Sequence, residues 1–359
     1  MPSTHQTRRS GAVQALAEAG LQSFLVTSRH NVRYLTGFTG SNAMLLLSTG
    51  AEAILYTDPR YTVQSKQQAD CDIKIAKGPL TKAVLKDIAR RGAGKTGFEQ
   101  DHLSVGLFDI LQKQFPARAE LCPLSGVIEK LRMVKDEAEI ALIRASVDVN
   151  SAALEAALMN LQAGMTEAEF AAEIDYHSRK LGAEGPAFDT IVAAGERAAL
   201  PHAHPGAAKI GAGMLLIDMG AFREGYASDM TRMVHLGHAK KKYRNAYKAV
   251  LEAQLAAIDA VKPGAKSASI DKAARRVLES YGLEREFIHS TGHGLGLEIH
   301  EPPRLGKKDK TVLEAGMAIT IEPGIYMEGW GGIRIEDTVL VTEHGCEILT
   351  PTGKELREL

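Results

Sequence analysis

The spacing of apolar positions changes about a third of the way along the chain. In the first third, short apolar runs at Phe24–Thr27, Ala43–Ser48 and Ala53–Thr57, bounded by Gly, Ser or Asp, predict strands. Between and after them the period lengthens. Gly11–Gly20 is helix-like, Leu80–Arg91 places Leu80, Val84, Ile88 and Ala89 on one helical face, and Val105–Phe115 predicts a further helix. Alternation of this kind makes an α/β domain, assigned to residues 1–127. The segment Tyr34–Asn42 is rich in Gly, Thr and Ser, and on composition alone it is a connection.

A seam is expected at Cys122–Ser125. Val127–Val134 then leads into a long helix whose start, Lys135-Asp-Glu-Ala-Glu-Ile, puts acids in the first turns, where the helix dipole favours them. Ile140, Ile143, Val147 and Leu154 keep the helical period. From here to the end, residues 128–359, the pattern is α+β. Leu215–Leu236 predicts a hairpin turning near Arg223–Gly225, and Asp218 and Asp229 interrupt its arms. A carboxylate in a strand interior is costly unless a cation or several donors meet it.

This second part repeats itself. Leu161–Glu184 aligns without gaps on Val261–Glu284, pairing Gly164 with Gly264 and Gly182 with Gly282 around a helix that should start on a capping hydroxyl. Past the helices, Ile217-Asp218-Met-Gly220 falls on Ile321-Glu322-Pro-Gly324, and Asp229-Met-Thr231 falls on Glu336-Asp-Thr338. A pseudo-twofold duplication would bring Asp218, Asp229, Glu322 and Glu336 together. Four carboxylates cannot share a buried pocket as anions without cations.

Composition narrows the chemistry. The formal net charge is −1, which gives no electrostatic reason to expect nucleic acid or an anionic membrane. Cys71, Cys122 and Cys346 are scattered singly, which suits a reducing compartment and argues against disulfides or a thiolate metal site. A polar N-terminus without a secretory core, and the lack of any long apolar run, lead to the expectation of a cytoplasmic protein. Between the two hairpins, Phe287–Pro303 carries His289, His293 and His300 with glycines around His293 that let the backbone crowd a ligand or another strand. The segment is neither HExxH nor GxGxxG. His202, beside an equally available His204, is a further candidate. Four carboxylates with about one imidazole form a hard, oxygen-rich site that favours Mn²⁺, with Co²⁺, Fe²⁺ or Zn²⁺ able to substitute. Two such ions generate a bridging hydroxide and polarise a carbonyl, so the residues point to metal-assisted hydrolysis of an amide or phosphoester.

At these residues the chain resembles the creatinase and prolidase group of "pita-bread" metallopeptidases, and within it the Xaa-Pro dipeptidases and Xaa-Pro aminopeptidases. The resemblance implies a creatinase-type α/β N-terminal domain followed by a pita-bread catalytic domain. It implies Asp218, Asp229, His293, Glu322 and Glu336 as ligands of two divalent ions, with Glu322 also a general base. His202, His289 and His300 would hold the scissile carbonyl and stabilise the tetrahedral intermediate. Arg334, on the same side of its strand as Glu336, and Arg304 would meet a ligand carboxylate, and Tyr326 would support the site. It further implies a proline-containing peptide substrate and a homodimer in which the Gly37–Asn42 loop serves as a lid. Aminopeptidase and strict dipeptidase specificity both remain open. A metal-free creatinase-like or binding-only relative is disfavoured, because none of the five ligand positions is substituted.

Overall fold

The apolar runs of the first third build a six-stranded mixed sheet in the order Asp72–Ile75, Ala53–Thr57, Ala43–Ser48, Ser23–Val26, Gly94–Glu99 and Ala119–Leu124. This computed structural model describes residues 3–50, 52–91 and 94–359, so Met1 and Pro2 of the polar N-terminus lie outside the described residues. The expected strands Ala43–Ser48 and Ala53–Thr57 and the expected helix Leu80–Arg91 form with those bounds. The expected seam at Cys122–Ser125 is instead mostly the end of the edge strand Ala119–Leu124, whose partly exposed residues include Pro123 and do not alternate strictly. Leu25, Leu46, Tyr56, Val84, Ile88 and Phe98 close this sheet's core. Within the same unit the Gly37–Asn42 connection is pinned down, since Thr39 N–H donates to Gln68 Oε1 (3.0 Å) and Ser41 Oγ lies 2.8 Å from the Tyr61 hydroxyl.

The chain divides into two units, Met1–Arg132 and Met133–Leu359. The helix Val127–Met133 falls almost wholly in the first, five residues beyond the boundary read from the sequence. The second unit opens with the long helix Glu137–Leu158. Asp136 caps it, accepting from Glu139 N–H while the Glu139 carboxylate accepts from Asp136 N–H.

Duplication governs this second unit. A helix pair, Glu137–Leu158 and Glu167–Lys180, precedes the antiparallel strands Ile191–Ala194, Gly213–Met219 and Met230–Leu236. A second pair, Lys241–Asp259 and Ser267–Ser280, precedes Gly292–Gly294, Ala318–Ile321 and Asp337–Val341, again antiparallel. Gly164, Gly264, Gly182 and Gly282 all have positive φ, so the four aligned glycines do the same conformational work at the ends of equivalent helices. Gly164 N–H meets Ile210 O, and Gly264 N–H meets Leu313 O in the same way. The capping hydroxyl recurs only in part: Thr166 caps the first helix, but no side chain caps the second, which follows Lys266. Two cores form, one within the first half and a larger one that the second half shares with Ile191, Leu216 and Met233 of the first. Leu154, Phe170, Ile174, Val192 and Ile217 are buried in one, and Val250, Ile270, Leu278, Ile319 and Val339 in the other. Burying each such side chain contributes roughly 1.5–3 kcal/mol.

Candidate active site and metal centre

Breaks in the strands, rather than their interiors, carry most of the acids. Asp218 lies within Gly213–Met219, opposite Thr231. Asp229 sits in a two-residue gap between Tyr226–Ala227 and Met230–Leu236, so the expectation of two strand-interior aspartates is corrected for this one. Glu322 and Glu336 likewise lie in gaps, after Ala318–Ile321 and before Asp337–Val341. A gap frees the chain to turn a carboxylate inward that a regular pleat would hold to one face.

All four acids line one cavity of about 640 Å³, together with His202, His204, His289, His293, His300, Arg304 and Arg334. Asp229, His293 and Glu336 each offer a ligand atom within 4.8 Å of the others. His293 Nδ1 lies 3.0 Å from Gly294 O and donates to it. That leaves the lone pair on Nε2, which stands 3.5 Å from both Asp229 Oδ2 and Glu322 Oε1. The glycines beside His293 admit neighbouring backbone rather than a ligand: a Cβ on Gly292 would fall 1.9 Å from Thr320 O, and one on Gly294 2.2 Å from Pro302 O.

Charge is unbalanced here. Burial first, then Glu336, Asp218 and Glu322, raises the Asp229 carboxyl well above its ordinary range. Burial, then Glu322 and Asp218, does the same to Glu336. Glu322 is pushed up to about 7, chiefly by burial, with Arg334 opposing. Asp218 Oδ1 and Asp229 Oδ1 are buried without any hydrogen-bond partner. Unpartnered buried carboxylate oxygens are expensive, and divalent cations among them would remove the cost. The donor set of four carboxylates and one imidazole therefore fits hard divalent metal.

Arg334 departs from its expected role. Its guanidinium is buried and committed to the protein, with Nε on Thr231 Oγ1 (3.0 Å), Nη1 on the Tyr326 hydroxyl (2.6 Å) and Pro201 O (3.3 Å), and Nη2 on Asp218 Oδ2 (2.5 Å). Four of its five N–H groups are thus engaged, and the one on Asp218 holds that carboxylate in place. Strand alternation does not place it, because the strand Gly331–Arg334 ends there and Glu336 lies beyond. Arg304 differs: it is exposed at the cavity, its Nε donates a 3.4 Å hydrogen bond to Ser290 Oγ, and among the described residues no carboxylate pairs with it.

The histidines also separate. His289 donates from Nδ1 to Ser290 O (2.8 Å), and its Nε2 lies 2.9 Å from the Tyr326 hydroxyl. Since Arg334 already donates to that hydroxyl oxygen, the Tyr326 proton points to Nε2. Both nitrogens of His289 are thus occupied, and burial followed by Arg334 lowers its pKa to about 4, keeping the ring neutral. Among the described residues His202 and His300 make no such bonds, and the His300 ring stands edge-on to His293 at 4.4 Å. Tyr326 is buried behind the cavity wall and does not line it. Sequence reasoning missed Phe188, Asp189, Ile191 and Ser290, which also line the cavity and carry no periodic or motif signal. It also missed Glu301, whose carboxylate meets Lys135 Nζ at 3.3 Å in a fully buried pair.

Comparison with known proteins agrees with this geometry. Residues 141–343 match the model for metallopeptidase family M24, and residues 8–134 match the creatinase/prolidase N-terminal domain. An Xaa-Pro dipeptidase from Pyrococcus furiosus is 38% identical over 346 residues, covering 96% of this chain and 97% of that protein. The solved Xaa-Pro dipeptidase from Bacillus anthracis superposes with a TM-score of 0.96 at 39% identity, covering 99% and 100% of the two chains. The X-Pro aminopeptidase from Thermotoga maritima MSB8 gives 0.90 at 36%, covering 96% and 100%. The duplicated half-sheets are the pita-bread catalytic fold, and among the described residues no helix is long and apolar enough to cross a membrane. The chain belongs to metallopeptidase family M24, with a creatinase/prolidase N-terminal domain ahead of its catalytic unit.

Proposed function

We propose that this protein is a dinuclear-metal exopeptidase that hydrolyses the bond between an N-terminal residue and a following proline. The observation that carries the reading is the meeting of Asp218, Asp229, His293, Glu322 and Glu336 in one cavity, with Asp218 Oδ1 and Asp229 Oδ1 lacking donors. These five residues would hold two divalent ions, Mn²⁺ by the hardness of the donor set. When bound, such ions polarise a carbonyl and acidify a water. Glu322, held by a 3.2 Å bond from Thr320 Oγ1, accepts the proton of the attacking water. His202 and His300, with ring nitrogens unengaged, donate to the scissile carbonyl as negative charge develops on it. The Xaa-Pro bond is a tertiary amide with no N–H, so recognition falls to its carbonyl and to the charged ends of the peptide.

A second reading, strict dipeptidase activity, is favoured by Arg304. Its unpaired guanidinium at the cavity would take the free carboxylate of a two-residue substrate. Relatives named as Xaa-Pro dipeptidases support it, and the relative named as an X-Pro aminopeptidase supports the broader reading. Hydrolysis of an Xaa-Pro dipeptide and of a tripeptide with the same first two residues separates the two. Cleavage of the tripeptide removes strict dipeptidase activity, and cleavage of neither removes Xaa-Pro specificity. A cytoplasmic homodimer, with Gly37–Asn42 as a lid, completes the proposal and rests on the family resemblance.

A further inference from the structure

His289 stands on a segment with no regular structure of its own. Residues 287–291 follow a 3₁₀ turn, Glu284–Glu286, and precede the strand Gly292–Gly294. A segment like this holds a ring in one place only if something outside it fixes its carbonyls.

Arg275, on the helix Ser267–Ser280, does so. Its Nη1 donates to Phe287 O (2.8 Å) and its Nη2 to His289 O (2.6 Å). One turn earlier on the helix, Asp271 fixes the guanidinium, with Oδ2 2.7 Å from Nε, and accepts from Thr291 Oγ1 at 2.9 Å. The guanidinium carbon lies 4.1 Å from the centroid of the Phe287 ring, and that ring meets His289 edge-on at 5.1 Å and 88°. The planar fork therefore bridges two carbonyls and a carboxylate, and no single ammonium could reproduce it.

The first half of the duplication carries a simpler form. There Thr190 Oγ1 donates to Asp175 Oδ1 at 2.7 Å, tying the helix Glu167–Lys180 to the residue before the strand Ile191–Ala194. In the gapless alignment Asp175 corresponds to Arg275. The helix-to-strand tie is thus common to both halves, and the guanidinium is added in the half that presents a histidine loop to the cavity.

We propose that Arg275, braced by Asp271, is a positioning residue for the peptidase reaction, setting the His289 ring against the Tyr326 hydroxyl. The proposal rests on the Xaa-Pro reading for its kinetic test but not for its spectroscopic one. With ¹⁵N-histidine-labelled full-length protein, the His289 ring signals, assigned by their absence in His289→Ala, should show a single tautomer with the proton on Nδ1. In Arg275→Met and in Arg275→Lys they should shift toward mixed tautomers. Kinetically, both substitutions should lower kcat on an Xaa-Pro dipeptide about tenfold or more, with KM within about twofold. In a His289→Ala background the same substitutions should change kcat by less than about twofold. Unaltered His289 ring signals in the folded Arg275→Lys protein overturn the proposal. Equal loss of kcat in both backgrounds also overturns it, because a merely structural brace would act without His289. Absence of Xaa-Pro hydrolysis in the wild type would count against the substrate reading alone, and the ring spectrum would still decide the role of Arg275.

Discussion

Arg334 Nη2 lies 2.5 Å from Asp218 Oδ2, and both side chains are almost wholly buried, so the one guanidinium inside the acid cluster is spent on holding a single carboxylate. Breaking a buried pair by removing one partner typically costs about 3–5 kcal/mol, because the other charge is left unsolvated. Metal-loaded Arg334→Met should lose stability on this scale in urea unfolding and bind metal more weakly. A loss below about 1 kcal/mol would show that Asp218 does not depend on Arg334.

Glu336 should be indispensable for turnover and a burden on the metal-free fold. Its carboxyl is raised well above the ordinary range by burial and by Glu322 and Asp218, so ionising it in the empty cluster is unfavourable. Glu336→Gln should lower kcat/KM about 10³-fold or more at saturating metal, a loss near 4 kcal/mol of transition-state stabilisation. At pH 8 without metal the same variant should melt above the wild type. A lower melting temperature with retained turnover would contradict both parts.

Metal loading should release protons in mildly acidic solution. Glu322 is pushed from about 4.5 up to about 7 by burial, with Arg334 opposing and Asp218 adding. A carboxyl raised on folding favours the folded protein while protonated. That contribution is complete below about pH 4.5 and is lost as pH rises through about 7. The metal-free protein should therefore lose stability across this window, and a metal that needs the ionised form must displace the proton. Calorimetric titration with Mn²⁺ at pH 6, in two buffers of different ionisation heat, should report release of about one proton or more. Zero release at pH 6 would rule the account out.

Arg304 should govern affinity for a free carboxylate. A charge-assisted hydrogen bond contributes about 1.5–3 kcal/mol, which is roughly 10- to 100-fold in KM. Arg304→Ala should raise KM for an Xaa-Pro dipeptide on this scale, leave kcat near wild type, and change little for the same peptide blocked as its amide. An equal change for both substrates would remove the carboxylate role.

His300 and His289 should respond differently to removal. His300 has unengaged ring nitrogens at the cavity, whereas both nitrogens of His289 are bonded to Ser290 and Tyr326. Loss of one donor to a developing oxyanion costs about 10²–10³ in kcat. His300→Ala should lose kcat on that scale, and His289→Ala should lose clearly less, about tenfold. The reverse ranking would place the oxyanion donor at position 289.

Much of this was legible in the residues. Apolar period marked Ala43–Ser48, Ala53–Thr57 and Leu80–Arg91 to the residue, because short buried strands and one-sided helices have few ways to satisfy their pattern. The edge strands Asp72–Ile75 and Ala119–Leu124 were not legible, because the first alternates over only four residues and the second lacks strict alternation and contains a proline. The duplication could be read because glycines needing positive φ, and acids with no neutral substitute, recur at matched positions in both halves. From this repeat and the histidine segment follow the chemical class and the four candidate carboxylates, while His293 as their imidazole partner is what the family resemblance implies. Which side chains are already engaged is another matter, and tertiary packing alone decided it. Arg334 is turned onto Asp218, His289 onto Tyr326, and Arg275 onto the carbonyls of Phe287 and His289, while Arg304 is left facing the cavity. Residue type states how many hydrogen bonds a group can make. Which partners take them depends on residues up to a hundred or more positions away, brought within 3 Å by the folded core.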